Sequence, residues 1–291
     1  MTTGIQNKVS QVNSFVDESF DIKRLNDFKL VIVIGSDGMR LTVFDKSSNK
    51  YIAFEYYSFQ NAFNPAIISD LLEAASKSSK VMSHRYKNVT CLVENNLSTL
   101  VPEALFEADR KKTYLKFNTE LEGDELIMID NIASLGAKNI FAVPFSIKAK
   151  ADAMFSNVEY HHFSSPLIDG LMIQSKNIAK KQVFVHVQAS HFEVLVIEGK
   201  KLLFYNSFNH HSAEDFMYYL LFVCEQLHLN PETQEMILLG EIERNSAIFN
   251  LVQKYVRNIK LGSRNENAEM SYQLQTFPRH FYFTLFNNYT V

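Results

Sequence analysis

The chain has 291 residues, 46% of them hydrophobic, and 29 Lys and Arg against 32 Asp and Glu give a net charge of -3. It is long enough for two globular cores, and its balanced charge removes the global electrostatic case for binding nucleic acid or an anionic membrane. Cys91 and Cys224 are too few for a disulfide framework and lack metal-motif spacing, so they read as buried thiols.

Residues 1–27 read as an N-terminal extension. The opening, MTTGIQNKVSQVNSFVDESF, has neither the basic start nor the apolar core of a signal peptide, and no later run reaches the roughly 18 apolar residues of a membrane span. A cytoplasmic protein without membrane insertion is expected. Lys29–Phe59 then reads strand, turn, strand, turn, strand, with Gly35-Ser36-Asp37-Gly38 at the first turn. Pro65 opens a helix with Ile67, Ile68, Leu71, Leu72 and Ala75 on one side, and Val89–Asn95 reads as a further strand. An insertion follows over about 97–144, with a helical stretch, PEALFEADRKKTYLKF, and two strand-like runs, ELIMIDNI and AKNIFAVPF. Its aromatic positions Phe106, Tyr114 and Phe117 are expected to include exposed members that bind another protein. A helix over Ile147–Phe155, a loop NVEYHHFSS and a connecting helix SPLIDGLMIQSKNIAK complete the first half, with the domain boundary near Lys176.

From Lys181 the pattern restarts. KQVFVHVQASHFEVLVIEGKKLLFYNSF is again strand, turn, strand, turn, strand; Ser212, three residues ahead of Asp215, marks a helix start, and Glu235–Gly240 is the strand after that helix. Near-continuous apolar runs such as VIVI and VFVHV belong to central strands covered on both faces. The chain reads as a duplication, one α/β domain over 28–176 and a second over 177–275. SRNENAEMS reads as turn, and TFPRHFYFTLFNN, within a closing segment 276–291, as a short helix packing back on the first domain.

Three antiparallel strands, a helix and a strand, present twice, resemble the actin-like ATPase superfamily over about 28–287. That superfamily includes actin, the seventy-kilodalton chaperones, sugar kinases and bacterial division and pilus-assembly proteins. More narrowly, the chain is similar to an uncharacterised Bacteroidetes family, domain of unknown function 3822, with a diverged version of the fold. The resemblance implies an α/β, ribonuclease H-like fold of two duplicated domains around a cleft, with a phosphate-cradling turn in the first hairpin of each.

In that superfamily the first turn has the form Asp-x-Gly-Ser/Thr, and its acid helps to order Mg2+. Here Val33-Ile34-Gly35-Ser36 keeps the glycine and the hydroxyl and puts Val33 where the acid belongs. The second turn, Asp-x-Gly-Gly-Gly/Ser-Thr in the family, reads His186-Val187-Gln188-Ala189-Ser190-His191. Side chains at Gln188 and Ala189 are expected to obstruct phosphates. Of the adenosine motif, Leu239-Gly240-Glu241 remains, with Arg244 at the start of a helix that follows. The resemblance therefore leaves Gly35, Ser36, Asp37, Gly38, His186, Gln188, Ser190, Gly240 and Arg244 as a vestigial nucleotide set. Mg2+ wants several hard oxygen ligands, and Val33 and His186 supply none.

Asp37 reads as a turn residue before it reads as a replacement acid, and Asp130 and Asp169 as a cap or a solvated face. His161-His162 and His210-His211 are adjacent pairs in predicted loops, and His186 and His191 flank the second turn. Neighbours on a strand point opposite ways, so no metal site is expected from them. Arg110-Lys111-Lys112 reads as a solvated helix face. No Ser-His-Asp or Cys-His motif supports a hydrolase, and no cluster of strand acids supports a nuclease-like relative.

The expectation is a non-catalytic actin-like homologue without a cofactor, a scaffold whose partner is another protein and not nucleic acid. The alternative is an ATP-binding switch or kinase-like protein, with Mg2+ held in an unusual way through Asp37 or Asp169.

Overall fold

The computed structural model describes residues 8–60, 62, 64–265 and 267–287. Backbone contacts divide the chain into two compact units. One comprises Met1–Pro166, Glu266–Thr276 and Thr284–Val291, the other Leu167–Asn265 and Phe277–Phe283.

In the first unit, strands β1 (Lys8–Val16), β2 (Phe28–Ile34), β3 (Gly38–Asp45) and β4 (Lys50–Gln60) lead to helix α1 (Pro65–Ser78) and strand β5 (Asn88–Val93). The Asn64 side chain accepts the Ile67 N–H and Pro65 fills the first helical position, as the sequence reading requires. Then come β6 (Ser98–Pro102), α2 (Lys111–Asn118), β7 (Glu125–Ile132), β8 (Ala137–Pro144), α3 (Phe145–Met154), β9 (Val158–His162) and α4 (Ser164–Ser175), the last continuing beyond Pro166. The main sheet has the order β1-β4-β3-β2-β5-β9, with β2 antiparallel to β3 and parallel to β5. Every residue of β2 and β3 is buried; β2 accordingly carries the apolar run LVIVI, while β3 buries Arg40, Thr42 and Asp45 among its apolar residues. Leu30, Ile32 and Ile34 share a core with Ile68, Leu71 and Leu72 of α1. The insertion forms its own sheet, ordered β6-β8-β7, over a small core of Val101, Leu115, Ile140 and Ala142.

The second unit repeats the plan. Strands β10 (Lys181–Val187), β11 (His191–Glu198) and β12 (Lys201–Asn209), helix α5 (Ala213–Gln226), strand β13 (Glu235–Gly240), helix α6 (Ala247–Tyr255) and strand β14 (Asn258–Leu261) give the order β12-β11-β10-β13-β14. This is the path β4-β3-β2-β5-β9 again, so the duplication read from sequence is a duplication of topology. Val183, Val185 and Val187 pack with Phe216, Leu220 and Val223 of α5 and with Phe249 and Val252 of α6. At the start of α5, Ser212 Oγ accepts the Asp215 N–H, and the Asp215 carboxylate accepts from His211 N–H. A two-residue strand β15 (Glu269–Met270), paired with β4, and a short helix α7 (Phe283–Phe286) end the described chain.

Several local expectations need correction. The N-terminal extension holds a strand that was not anticipated: β1 joins the edge of the sheet, pairing with β4 through a bulge between Gln11 and Asn13 that breaks the alternation of its apolar residues. The helix expected from Pro102 to Phe117 breaks into two 3-10 turns before α2. Tyr114 holds the break open, its hydroxyl donating to the Leu105 carbonyl and accepting from the Glu107 N–H. The loop expected at NVEYHHFSS contains β9, parallel to β5, and β14 was not anticipated at all. Arg244 lies in a turn ahead of α6, whose N-terminus is capped by Ser246. The closing helix is reduced to α7, because Arg264 takes carbonyls of Phe277, Pro278 and Phe281 and Tyr282 adopts a left-handed φ of 53°. Cys91 and Cys224 are buried and unbridged, and burial pushes their thiols up to about 12 and about 11. Among the described residues no helix is long and apolar enough to cross a membrane.

Candidate functional site

The turn between β2 and β3 is closed by the Gly35 N–H, which donates to the Gly38 carbonyl at 2.9 Å and leaves Ser36 and Asp37 at the tip. None of these four residues takes a positive φ, so the freedom of glycine is not what the turn uses. Space is what fixes Gly38, where a Cβ would lie 2.3 Å from the Tyr57 carbonyl oxygen. At Gly35 a Cβ would meet only side-chain ends, Asp37 Oδ1 at 3.1 Å and Glu94 Oε1 at 3.2 Å. Two carboxylates thus come together beside Gly35, and Asp37 already has a cation. Arg40 Nη2 lies 2.8 Å from Asp37 Oδ2, and the guanidinium, only 3% exposed, sits 4.7 Å over the Tyr56 ring. Val33, at the place of the family's acid, is buried and faces Arg40 across the two strands.

The turn between β10 and β11 is built the same way. The Gln188 N–H donates to the His191 carbonyl at 2.9 Å, with Ala189 and Ser190 at the tip. Gln188 stands where Gly35 does, His191 where Gly38 does and Glu193 where Arg40 does. Glu193 is fully buried opposite His186, with Oε2 2.8 Å from His186 Nδ1; Oε1 accepts from Ser207 Oγ at 3.1 Å and lies 3.2 Å from His191 Nε2. Burial by itself raises the Glu193 pKa, but the nearby charge of His191 and the hydrogen bond from His186 outweigh it and hold the carboxyl at about 2. The carboxylate is ionised, so His186 Nδ1 donates to it. His186 Nε2 lies 3.2 Å from the Gln188 amide nitrogen, so both ring nitrogens are engaged inside the protein. His210 Nε2 is 3.2 Å from the Gln188 carbonyl, and burial lowers the pKa of that ring.

Gly240 ends β13 beside Val187. With φ at +87° and a Cβ that would stand 2.1 Å from the Val187 carbonyl oxygen, the position admits only glycine. Its N–H donates to the His280 carbonyl at 2.8 Å, and His280 Nε2 lies 2.9 Å from the Ile242 carbonyl. The segment 277–283 therefore lies on the turn at Gly240, where the resemblance would put an adenosine motif. Arg264 fastens it there, donating to the carbonyls of Pro278 at 2.9 Å, Phe281 at 3.3 Å and Phe277 at 3.4 Å. Within this unit the fold brings His186, Gln188, Ser190 and Gly240 to one end of β10 and β13. Arg244 is on the exposed turn beyond, 6.0 Å from the Phe249 ring centroid.

Asp130 is neither a cap nor solvated. It is 5% exposed and gathers His161 Nδ1 at 2.8 Å, the His162 N–H at 2.9 Å and Ser165 Oγ at 2.5 Å. His162 turns the other way, with Nδ1 2.7 Å from Ser164 Oγ and Nε2 3.1 Å from the Asn95 carbonyl, while Asn139 Nδ2 donates to both serines at 3.0 Å. The network ties β7 and β8 of the inserted sheet to β9 and the start of α4. Serine, histidine and aspartate meet here without forming a relay, since Asp130 holds His161 while Ser164, fully buried, is bonded to His162.

Among the described residues no group of three or more His, Cys, Asp or Glu is placed to hold a metal. The residues do not fit the Mg-ATP that the superfamily implies. Val33 is apolar, His186 is locked to Glu193, Asp37 is paired with Arg40, and His280 lies on the Gly240 turn. Asp169, half-buried in α4, stands apart from both turns in sequence. Glu94, Arg40 and Glu193 were not singled out from the sequence. A two-residue hairpin turn fixes which residues face one another, and that arithmetic pairs Val33 with Arg40 and His186 with Glu193.

The chain is similar to a protein of Bacteroides thetaiotaomicron VPI-5482 described as having an actin-like ATPase fold and unknown function. The TM-score is 0.76 at 21% identity, over 88% of this chain and 97% of that one. It is also similar to a chain of the PilM-PilN type IV pilus biogenesis complex, with a TM-score of 0.53 at 12% identity over 88% and 96% of the two chains. At these identities the likeness shows the fold, which is the actin-like ATPase (ribonuclease H-like) α/β fold. No curated protein matches the chain. With its match running over residues 17–259, the chain belongs to the DUF3822 family of proteins of unknown function.

Proposed function

We propose that this protein is a non-catalytic actin-like homologue that serves as a protein-binding scaffold. One observation carries the reading. Where the superfamily's second phosphate turn has a metal-ordering acid, His186 is fully buried with both ring nitrogens committed to Glu193 and Gln188. The first turn supports it, since the only acid at its tip, Asp37, is bound to Arg40. On this reading Gly35, Ser36, Asp37, Gly38, His186, Gln188, Ser190, Gly240 and Arg244 are vestiges of a nucleotide site now rebuilt as internal pairs. The PilM-PilN structure, a fold mate solved as a complex with another protein, is a precedent for this fold in partner binding. The inserted sheet offers a surface for that role, with Phe117 89% and Leu105 66% exposed.

A second reading, an ATP-binding switch, draws on the meeting of Asp37 and Glu94 beside Gly35. Thermal unfolding with and without Mg-ATP separates the two. A ligand that binds only the folded state at a hundredfold excess over Kd adds about 2.7 kcal/mol, enough to raise the midpoint by several degrees. No shift at millimolar Mg-ATP is expected; a reproducible, Mg2+-dependent rise overturns the scaffold reading in favour of the switch.

A further inference from the structure

We propose that the open edge of the second unit is where two copies of this chain join. The duplication supplies the comparison. In the first unit β1 pairs antiparallel with β4 beside α1, and Val9 and Val16 of β1 pack on the core under that helix. The equivalent strand of the second unit, β12, pairs only with β11 among the described residues, so its outer edge has no strand. Edge strands are commonly protected by charge, proline or shortness. β12 is nine residues long, and from Leu202 to Asn209 it carries no charge and no proline.

The helices differ in the same sense. No large apolar side chain of α1 is exposed, whereas α5 exposes Tyr218 at 65%, Phe222 at 45% and Tyr219 at 36%, and Leu203 of β12 is 45% exposed. Tyr219 stacks on Phe208 of β12 with ring centroids 5.3 Å apart, and Tyr218 meets Tyr219 edge-on at the same distance. The strand edge and the helix flank beside it therefore form one aromatic face. A bare strand such as β1 would pair with β12 and leave Phe222 in water. What covers both is a strand with a helix beside it at the same level.

This chain has that shape. Helix α5 connects β12 to β13, which is parallel to β10 and so to β12, and the helix runs back along the strand it leaves. When β12 pairs antiparallel with β12 of a second copy about a two-fold axis perpendicular to the sheet, the two five-stranded sheets become one, and both α5 helices lie side by side on the same face of it. Tyr219 and Phe222 of each helix then meet those of the other. The charges agree with that direction. β12 is entered through Lys200 and Lys201, and α5, starting beyond the other end of β12, has Glu214 and Asp215 in its first turn. Antiparallel pairing sets the basic start of each outermost strand against the acidic end of the other copy; Glu198, opposite Lys201, lies one strand further in.

The dimer goes beyond the scaffold reading and stands without it, since neither a nucleotide nor the inserted sheet takes part. Light scattering on the full chain after size exclusion reads the mass directly. At about 50 µM the expected mass is that of a dimer, twice 33.5 kDa, falling toward the monomer on dilution to about 0.1 µM. Leu203→Lys and Phe222→Lys change exposed positions, where folding is little affected. Each is expected to raise the dimer Kd about tenfold or more, because both copies bring the new ammonium group to one interface, with the circular dichroism spectrum unchanged. Tyr272→Ser, at an aromatic 84% exposed in the other unit, is the control and is expected to leave the dimer as it is. A parent chain that stays monomeric at about 50 µM overturns the proposal. A Kd unchanged in folded Leu203→Lys or folded Phe222→Lys overturns it as well, and so does a monomeric parent that binds an unrelated extended peptide at β12, which would assign the edge to another partner.

Discussion

His186 Nδ1 and Glu193 Oε2 lie 2.8 Å apart across β10 and β11, both side chains fully buried, at the register where Val33 faces Arg40 in the other repeat. Neither hairpin has an acid at the first of these positions, and each has a charged residue at the second. The folded Glu193 carboxyl, held at about 2 against an ordinary 4.5, stabilises the fold wherever it is ionised. For a depressed carboxyl the contribution is complete above the unfolded value and is lost as pH falls from about 4.5 toward 2; a gap of that size corresponds to about 3 kcal/mol. Glu193→Gln is therefore expected to lose about 3 kcal/mol in urea unfolding at pH 7. Its deficit relative to the parent should shrink steadily below pH 4.5. A deficit as large at pH 3 as at pH 7 would show that the charge of Glu193 contributes nothing.

Arg40 makes the matching test in the first unit. Its guanidinium is 3% exposed and Asp37 is 15% exposed, so removing either leaves a poorly solvated charge behind. Arg40→Met is expected to cost about 2 to 4 kcal/mol, and the Arg40→Met, Asp37→Asn double variant less than the sum of the two singles. A double-mutant cycle in urea reads the coupling directly. Strict additivity would mean that the pair is a contact without consequence.

The repeat was legible because its signal is long. Strands such as β2 and β10 are buried on both faces, and α1 and α5 carry their caps in sequence, so local pattern and global fold agree. What escaped was short, polar or dependent on distant partners. The edge strand β1 has its apolar residues out of strand alternation, with a bulge between Gln11 and Asn13, and β14 is only four residues long. The helix expected ahead of α2 was undone by a tyrosine hydroxyl, and the closing helix by Arg264. At the site, sequence singled out Val33 and His186, where the resemblance expects acids, but not Arg40 and Glu193, which face them. Asp130 was underread for the same reason, since its partners His161 and Ser165 lie 31 and 35 residues further on.

The scaffold reading places partner contacts on the inserted sheet. Phe117 projects from α2 at 89% exposure, while Leu115 on the same helix is in the insertion's core and Phe106 and Tyr114 pack against it. Phe117→Ser is expected to change stability by no more than about 0.5 kcal/mol, as exposed substitutions do. It should nonetheless reduce recovery of bound proteins in a pull-down from cells of the natural source. Full recovery of all partners by a folded Phe117→Ser, Leu105→Ser variant would count against this surface.

Gly35, Gly38 and Gly240 differ in how tightly their surroundings exclude a side chain. At Gly240 a methyl group would meet the Val187 carbonyl at 2.1 Å in a backbone with φ at +87°, and at Gly38 it would meet the Tyr57 carbonyl at 2.3 Å. Neither neighbour is a flexible side chain, and both strands are central or next to central in their sheets. Alanine at either position is expected to cost about 3 kcal/mol or more, because the main chain of a paired strand must move. Gly35 differs, since only the carboxylate ends of Asp37 and Glu94 stand within 3.3 Å of the new Cβ and φ is not positive. Gly35→Ala is expected to cost about 1 kcal/mol or less, consistent with the side chain that Gln188 already carries at the same place in the second hairpin. The order of thermal midpoints, Gly35→Ala well above Gly38→Ala and Gly240→Ala, checks the argument. A Gly35→Ala protein as unstable as the other two would mean that this turn still needs its bare backbone, which is what a phosphate would require of it.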